Sequence, residues 1–147
     1  MTNKSGMAAV SIILLILVIA IPGLIYYFFE WEKPQVRMDT DLATIGRQKE
    51  VSITFTDRRS GIRDFTVVFV QQQSEFGVAS LDVPEKGVFE KTVNLEIAPK
   101  KLGLKDGDAV LRIQARDFSP LKNAAVLEVP VKIDSVVPRV SLLTRAH

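Results

Sequence analysis

Five aspartates in or beside predicted turns are the side chains best suited to bind a cation. They are Asp57, Asp106, Asp108, Asp117 and Asp134. Oxygen-rich loops that meet at one end of a β-sheet protein can bind Ca²⁺. A turn aspartate also accepts hydrogen bonds from backbone N–H groups of its own loop, and no spacing here matches a calcium loop of about twelve residues. The sequence therefore favours turn capping, with calcium binding as the alternative, and it assigns no metal ligand and no cofactor.

Nucleophilic and acid–base catalysis have few candidate residues. Ser60-Gly61 lies in a turn sequence and lacks the G-x-S-x-G context of a nucleophile elbow. The only histidine is His147, the final residue, and the chain has no cysteine. A serine nucleophile needs an adjacent base, and thiol catalysis needs a cysteine. The sequence therefore predicts no catalytic residue, and this chain is not expected to be an enzyme.

Two pairs of adjacent basic residues could contact an anionic ligand. Arg58-Arg59 lies in a predicted loop and could bind an anionic polymer or a lipid headgroup, although such a pair usually faces water. Lys100-Lys101 is interpreted as a solvated loop pair. The formal net charge is only +2 and the basic residues are scattered, so nucleic acid is not an expected partner. No small-molecule substrate is predicted either.

Residues 7–29 form a long uncharged stretch that predicts a membrane-spanning helix. At about 1.5 Å per residue the stretch covers about 34 Å, more than the hydrocarbon core of about 30 Å. A cleaved secretory signal is the alternative, but its apolar region has about 7 to 15 residues and ends in small residues. This stretch ends in Tyr26, Tyr27, Phe28 and Phe29, with Trp31 close behind. The sequence therefore predicts an uncleaved signal anchor with an interfacial aromatic belt.

The flanking charges predict the orientation of this anchor. Lys4 and the α-amino group precede it, whereas Glu30 and Glu32 with Lys33 follow it. The positive-inside rule then leaves residues 1–6 as a cytoplasmic tail. We expect a single-pass protein of the cytoplasmic membrane whose C-terminal part lies in the periplasm or outside the cell. The absence of cysteine fits a bacterial periplasmic domain better than a small secreted eukaryotic one.

Alternation of apolar and polar residues predicts short strands after the anchor. Residues 30–41 are interpreted as a linker with a first edge strand, in which Val36 and Met38 share one side. Residues 62–73 are apolar on both faces, which favours a central strand. Other strand-like runs cover residues 48–57, 77–83, 92–97, 111–116 and 127–134. Pro130 favours an edge position for the last of these.

This pattern predicts an all-β domain behind a single transmembrane helix. Seven or eight short strands, separated by turn signals at intervals of about 8 to 12 residues, are typical of an antiparallel β-sandwich. We assign an immunoglobulin-like sandwich to residues 42–134, with a closed barrel as the alternative. Residues 135–147 are interpreted as a linker and the start of a second β region. The predicted core residues are Val51, Ile53, Phe55, Phe65, Val67, Phe69, Val93, Leu95, Ile97, Leu111, Ile113, Leu127, Val129 and Val131.

Several turn motifs of this domain resemble a bacterial immunoglobulin-like module. They are Asp57-x-x-Ser60-Gly61-Ile62, Leu102-Gly103-Leu104-x-x-Gly107, Ala115-x-Asp117, and Val131-x-Ile133-Asp134 with Pro138. With the N-terminal anchor and the run at residues 138–145, the chain resembles the front end of membrane-anchored lysostaphin-type zinc metallopeptidases. The resemblance covers nearly the whole chain. It implies that a further β-rich region and a catalytic domain follow.

The chain departs from that family in its metal ligands. The resemblance implies a zinc site built from a His-x-x-x-Asp element and a His-x-His element, in which three protein ligands leave one position for water. Only His147 is present, and a lone terminal imidazole is usually solvated. No metal or catalytic residue of the family is therefore carried over to this chain.

Two functions remain as expectations. The first is a non-catalytic anchor and spacer module of a bacterial peptidoglycan metallopeptidase, which holds a downstream catalytic domain outside the cytoplasmic membrane. The second is a free-standing envelope protein whose immunoglobulin-like domain binds a protein or polysaccharide. The expected partners are the lipid bilayer and peptidoglycan or envelope proteins. Because the strand-like run at residues 138–145 has nothing left to pair with, we expect the reading frame to continue past His147, with an unstructured tail as the alternative.

Overall fold

A computed structural model describes residues 4–28 and 31–136 of the chain. Its first element is helix α1, Lys4–Phe28. Side chains from Gly6 to Phe28 are exposed instead of packing into the domain, and this segment is long and apolar enough to cross a membrane. The Ser11 hydroxyl donates to the Met7 carbonyl at 3.0 Å, so this polar group is satisfied within the helix.

Helix α1 begins before the predicted membrane-spanning stretch. It starts at Lys4, so it includes residues 4–6 of the segment predicted as a cytoplasmic tail. No proline stands between Lys4 and Met7 to interrupt helical hydrogen bonding. Pro22 lies inside the helix without ending it. Phe29 and Glu30 lie outside the described residues.

The rest of the described chain is a β-sandwich. In chain order its strands are β1 Gln35–Met38, β2 Thr44–Ile45, β3 Lys49–Thr56, β4 Ile62–Gln71, β5 Ser74–Asp82, β6 Glu90–Ile97, β7 Gly107–Asp117 and β8 Ala124–Ile133. One sheet has the order β1-β3-β6, and the other has the order β2-β8-β7-β4-β5. Every pair is antiparallel except β2 with β8, which is parallel. The prediction that the 62–73 run forms a central strand is confirmed, because β4 lies between β7 and β5.

The core lies between the two sheets. Phe55 of β3 stacks on Phe65 of β4, with ring centroids 4.4 Å apart and planes inclined by 17°. Most predicted core residues are buried, while Val93, Leu95, Leu127 and Val129 are half-buried at its margin. The core also includes residues that were not predicted: Leu42, Ile45, Ile62, Val83, Leu104, Ala109, Ala115 and Ile133. Two separate sheets packed face to face make a sandwich instead of a closed barrel.

Three local features differ from the predicted pattern. β2 was not predicted, because two residues are too few to display a period. The region predicted as a plain turn contains a four-residue helix, α2 Pro99–Leu102, which ends at Gly103 in the left-handed conformation with φ 81°. β5 begins at Ser74, earlier than expected, because β4 and β5 are joined by a tight turn at residues 72–73.

The chain enters and leaves the sandwich at opposite ends. Gln35 of β1 pairs with Thr56 at the end of β3, and Ile62 at the start of β4 pairs with Asp117 at the end of β7. The entry end is therefore formed by residues 31–34 and the loops 57–61, 83–89 and 118–123. The exit end is formed by residues 39–48, 72–73, 98–106 and 134–136.

Candidate functional site

Asp57 forms the turn that joins β3 to β4 at the entry end. Its side chain is almost fully buried, with 3% of its surface exposed. Its Oδ1 accepts hydrogen bonds from the backbone N–H groups of Arg59 at 3.1 Å, Ser60 at 2.9 Å and Gly61 at 2.7 Å. The Ser60 hydroxyl lies 3.4 Å from the same oxygen. This carboxylate is therefore occupied in turn capping, as the sequence predicted.

Asp117 fixes the neighbouring loop, residues 118–123, in a similar way. Its Oδ1 accepts the Ser119 backbone N–H at 3.1 Å and the Ser119 hydroxyl at 2.7 Å. Its Oδ2 accepts the side-chain amide of Asn123 at 3.0 Å. The same Asn123 amide also reaches the Glu32 carbonyl at 3.0 Å, which connects this loop to the segment that enters the sandwich. Both oxygens of this fully buried carboxylate thus have partners.

The remaining three aspartates lie at the exit end. Asp106 Oδ1 accepts the hydroxyl of Ser135 at 2.7 Å and its backbone N–H at 2.8 Å. The Ser135 hydroxyl, followed by its backbone N–H, holds the pKa of Asp106 below the ordinary value. Asp108 and Asp134 are exposed. Ser135, the first residue of the predicted linker, is buried and bonded to the sandwich through this aspartate.

Calcium binding by these five aspartates would require their loops to meet at one end of the sandwich, and the loops do not. Asp57 and Asp117 lie at the entry end, whereas the other three lie at the opposite end. The antiparallel connections cause this division, because loops that follow alternate strands fall at opposite ends of a sandwich. Within residues 4–28 and 31–136, no group of three or more histidine, aspartate or glutamate side chains is placed to hold a metal ion.

An ion-pair ladder crosses the outer face of the five-stranded sheet and was missed by sequence reasoning. Arg112 of β7 contacts Glu75 of β5 at 2.9 Å and Glu128 of β8 at 2.8 Å. The hydrogen bond to Glu128 is the main cause that raises the pKa of Arg112. Nearer the entry end, Arg116 donates to Asp64 at 2.7 Å, and this bond raises the pKa of Arg116. The partners are distant in sequence, so only the strand register reveals them.

A groove of about 490 Å³ lies on the same outer face near the exit end. Val70, Val110 and Pro130 stand side by side on β4, β7 and β8 and form its apolar floor. Gln72, Asp108 and Lys132 supply polar groups around this floor. Such a mixture of apolar floor and polar edge is suited to binding a side chain or a sugar ring. Among residues 4–28 and 31–136, the groove lining contains no histidine or serine.

The basic pairs occupy different surroundings. Arg58 and Arg59 are exposed at the entry end, and the Arg59 guanidinium donates to the Tyr27 carbonyl in the last turn of α1 at 3.3 Å. Lys101 lies 3.9 Å from Glu96, and both side chains are largely exposed. An exposed pair of this kind contributes little to stability. His147 and the run at residues 138–145 lie outside the described residues.

Comparisons with known proteins give no family. No protein-family model matches the chain, and no curated protein does. Among solved structures, an engineered protein matches with 15% identity and a TM-score of 0.38, covering 71% of this chain and 20% of the other. A β-glucosidase from Erythrobacter marinus matches with 17% identity and a TM-score of 0.38, covering 71% of this chain and 15% of the other. This chain thus corresponds to a fifth or less of either protein, and the likeness carries no argument about function.

Proposed function

We propose that this chain is a membrane anchor and spacer: α1 spans the cytoplasmic membrane with its N-terminus inside, and the sandwich stands outside as a rigid spacer. One observation carries the proposal. The chain enters the sandwich beside α1 and leaves it at the opposite end. β7 has eleven residues, which at about 3.3 Å per residue corresponds to about 35 Å between these ends. With its strands upright on the bilayer, the sandwich therefore holds its exit end farther from the membrane than its entry end by about that distance.

The proposed spacer has an immunoglobulin-like strand arrangement. β1, β3 and β6 correspond in order to strands A, B and E of such domains, while β4, β7 and β8 correspond to C, F and G. β5 lies beside β4 as the added strand C′ does in variable-type domains. The turn residues that carry the sequence resemblance have roles consistent with this arrangement, since Asp57 and Asp117 cap loops and Gly103 ends α2.

The resemblance to lysostaphin-type metallopeptidases suggests which domain the spacer holds. In this proposal a zinc-dependent catalytic domain that cleaves peptidoglycan follows on the exit side, and the sandwich sets its distance from the bilayer. In this proposal the downstream domain carries out catalysis, and the sandwich only sets the position of that domain. The nucleotide sequence that follows the codon for His147 tests this part, since the proposal requires His-x-x-x-Asp and His-x-His elements downstream.

A second candidate is a free-standing binding module of the cell envelope. It is favoured by the groove over Val70, Val110 and Pro130, because an apolar floor on an open sheet face can receive a partner. A stop codon directly after that of His147 would favour this candidate over the spacer. Substituting Val110 by lysine would then abolish partner binding, whereas a spacer would tolerate the change.

Protease protection in bacterial spheroplasts tests the orientation. Protease added outside should digest the sandwich and leave a fragment of about the size of α1. If residues beyond Trp31 stay protected in intact spheroplasts and are cut only after lysis, the proposed orientation is wrong. The spacer geometry is tested separately in lipid nanodiscs by energy transfer to a membrane dye. Because the chain has no cysteine of its own, a fluorophore can be attached specifically at Gln72→Cys or at Pro84→Cys. The fluorophore at Gln72→Cys should lie about 35 Å farther from the bilayer than the one at Pro84→Cys.

A further inference from the structure

The loops of the entry end combine exposed cations with exposed apolar side chains. The exposed cations are Arg58, Arg59, Lys86 and Lys122. Beside them, Phe89 and Leu121 have 49% and 41% of their surface exposed. The three loops contain two carboxylates, Glu85 and Asp57, and Asp57 is buried in its own turn. The exposed surface of these three loops is therefore positive, with apolar residues between the charges, and the exposed carboxylates of Glu32, Asp82 and Glu90 lie at its border.

Hydrogen bonds join the three loops into one preformed surface. The backbone N–H of Asp57 donates to the Phe89 carbonyl at 2.8 Å, and that of Ile62 donates to the Val88 carbonyl at 2.8 Å. On the other side, the N–H of Phe118 donates to the Gly61 carbonyl at 3.1 Å. The backbones of the three loops thus need little ordering before they meet a ligand, which lowers the entropic cost of binding.

The short connection to α1 keeps this surface close to the bilayer. Residues 29–34 separate the end of α1 from the start of β1, and six residues reach at most about 20 Å when fully extended. Arg59 already contacts the Tyr27 carbonyl, and Trp31 has 68% of its surface exposed in the connection itself. Tyrosine and tryptophan side chains prefer the headgroup region of a membrane. When α1 spans the bilayer, the entry end therefore faces the lipid headgroups.

We propose that the entry end docks on anionic lipid headgroups of the bilayer that α1 spans. Arg58, Arg59 and Lys122 bind lipid phosphates, and Leu121 inserts among the headgroups. The inference rests on the proposed function, because it needs α1 in the membrane. Clusters of basic residues beside a transmembrane helix are attracted to anionic lipids, and an adjacent apolar side chain adds the burial of its surface. Docking would fix the tilt of the sandwich and so the direction in which the exit end points.

Site-specific quenching in nanodiscs tests this docking on the full chain. A fluorophore at Pro84→Cys reports on the entry end, and one at Gln72→Cys reports on the exit end. The discs contain lipids with a nitroxide-labelled headgroup in either phosphatidylcholine or a mixture with about one third phosphatidylglycerol. The test variant is Arg58→Gln/Arg59→Gln/Lys122→Gln. Its matched control, Lys100→Gln/Lys101→Gln/Lys105→Gln, removes the same charge from the exit end.

If the entry end docks, the fluorophore at Pro84→Cys should be strongly quenched in the anionic discs only. Quenching should fall at least about threefold in pure phosphatidylcholine and in the entry-end variant, but not in the exit-end control. Equal quenching at Pro84→Cys in both lipid mixtures would overturn docking, even if the entry-end variant proved unstable, because that comparison uses the unsubstituted loops. Extraction of the chain from the discs by alkaline carbonate would instead show that α1 does not span the bilayer, which overturns the proposed function as well.

Discussion

Phe55 and Phe65 stack across the sandwich, with ring centroids 4.4 Å apart, and thereby join the three-stranded sheet to the five-stranded sheet. Offset-stacked aromatic pairs contribute about 0.5 to 1.5 kcal/mol beyond the burial of their surface. Both rings are essentially inaccessible to solvent. No residue of α1 belongs to the core in the described part of the chain. The apolar core of the sandwich is therefore buried by residues of the sandwich itself.

The first prediction is that residues 31–136 fold without α1 as a soluble monomer. The fragment keeps every strand, and it keeps Glu32 and Ser135, which bond to Asn123 and Asp106 respectively. Analytical ultracentrifugation should give a single monomeric species, and circular dichroism should show a cooperative thermal transition. A fragment that elutes as aggregate with no transition would contradict the independence of the core from α1.

The second prediction concerns which side chains of β4 and β7 point into the core. Phe69→Ala and Leu111→Ala should each lower the free energy of unfolding by about 2 to 5 kcal/mol, because each side chain is fully buried and its removal leaves a cavity. Val126→Ala is the matched control, since Val126 lies on β8 with 57% of its surface exposed. Urea denaturation of the fragment measures all three. A loss below about half a kcal/mol at both core positions would contradict the inward facing of these two side chains.

The third prediction concerns the capped turn at the entry end. Asp57→Ala should destabilise the fragment by about 2 to 3 kcal/mol, because it leaves the N–H groups of Arg59, Ser60 and Gly61 without their acceptor. Asp57→Asn retains an oxygen and should recover part of that loss. Asp41→Ala is the control: Asp41 is exposed and accepts one bond from Ala43, so its loss should cost less than about 1 kcal/mol. Similar losses at both aspartates would refute the special role of Asp57.

The fourth prediction is a pH dependence set by Asp106 and Ser135. Because the folded pKa of Asp106 is lowered, its contribution to stability is present above the ordinary aspartate pKa of about 3.9 and is lost as the pH falls through the folded value. Ser135→Ala removes the hydroxyl donor, so the pKa of Asp106 should rise toward the ordinary value. The stability difference between the parent and Ser135→Ala should accordingly shrink as the pH is lowered. Carboxyl NMR titration measures the pKa, and denaturation at several pH values measures the stability.

The control for this experiment is Ser80→Ala, an exposed serine on β5. Its stability difference from the parent should not depend on pH in the same range. An unchanged pKa of Asp106 in Ser135→Ala would mean that the hydroxyl is not the main cause of the lowered value.

The fifth prediction concerns the hairpin that joins β4 to β5. Gln72 and Gln73 both have positive φ, 50° and 65°, which is the conformation of a type I′ turn. Asn-Gly is strongly preferred there, so Gln72→Asn/Gln73→Gly should stabilise the fragment by about 0.5 to 1 kcal/mol. Gln114→Gly, in the interior of β7, should instead destabilise it by about 1 kcal/mol. A loss of stability in the hairpin variant would show that the glutamines are not strained.

Sequence reasoning predicted the long strands well, because β3, β7 and β8 each alternate over enough residues to show a period, and β4 is a long run that is apolar on both faces. It did not predict that Leu42, Ile45 and Leu104 enter the core, since they lie in short or irregular segments without a pattern. The capping role of Asp57 was predictable from local turn chemistry. The ladder around Arg112 was not, because its carboxylate partners on β5 and β8 are brought close only by the register of the four strands β5, β4, β7 and β8.

The parallel pairing of β2 with β8 has a mechanical consequence. The backbone N–H of Lys132 donates to the Ala43 carbonyl at 3.0 Å, and the backbone N–H of Asp134 donates to the Ile45 carbonyl at 2.9 Å. A chain held through α1 and pulled from residue 136 is stretched along its strands. Because β2 and β8 run in the same direction, tension draws them past each other and shears both bonds together instead of opening them one after the other. The bonds of β2 to β8 are thus loaded in parallel when the chain is stretched between its two ends.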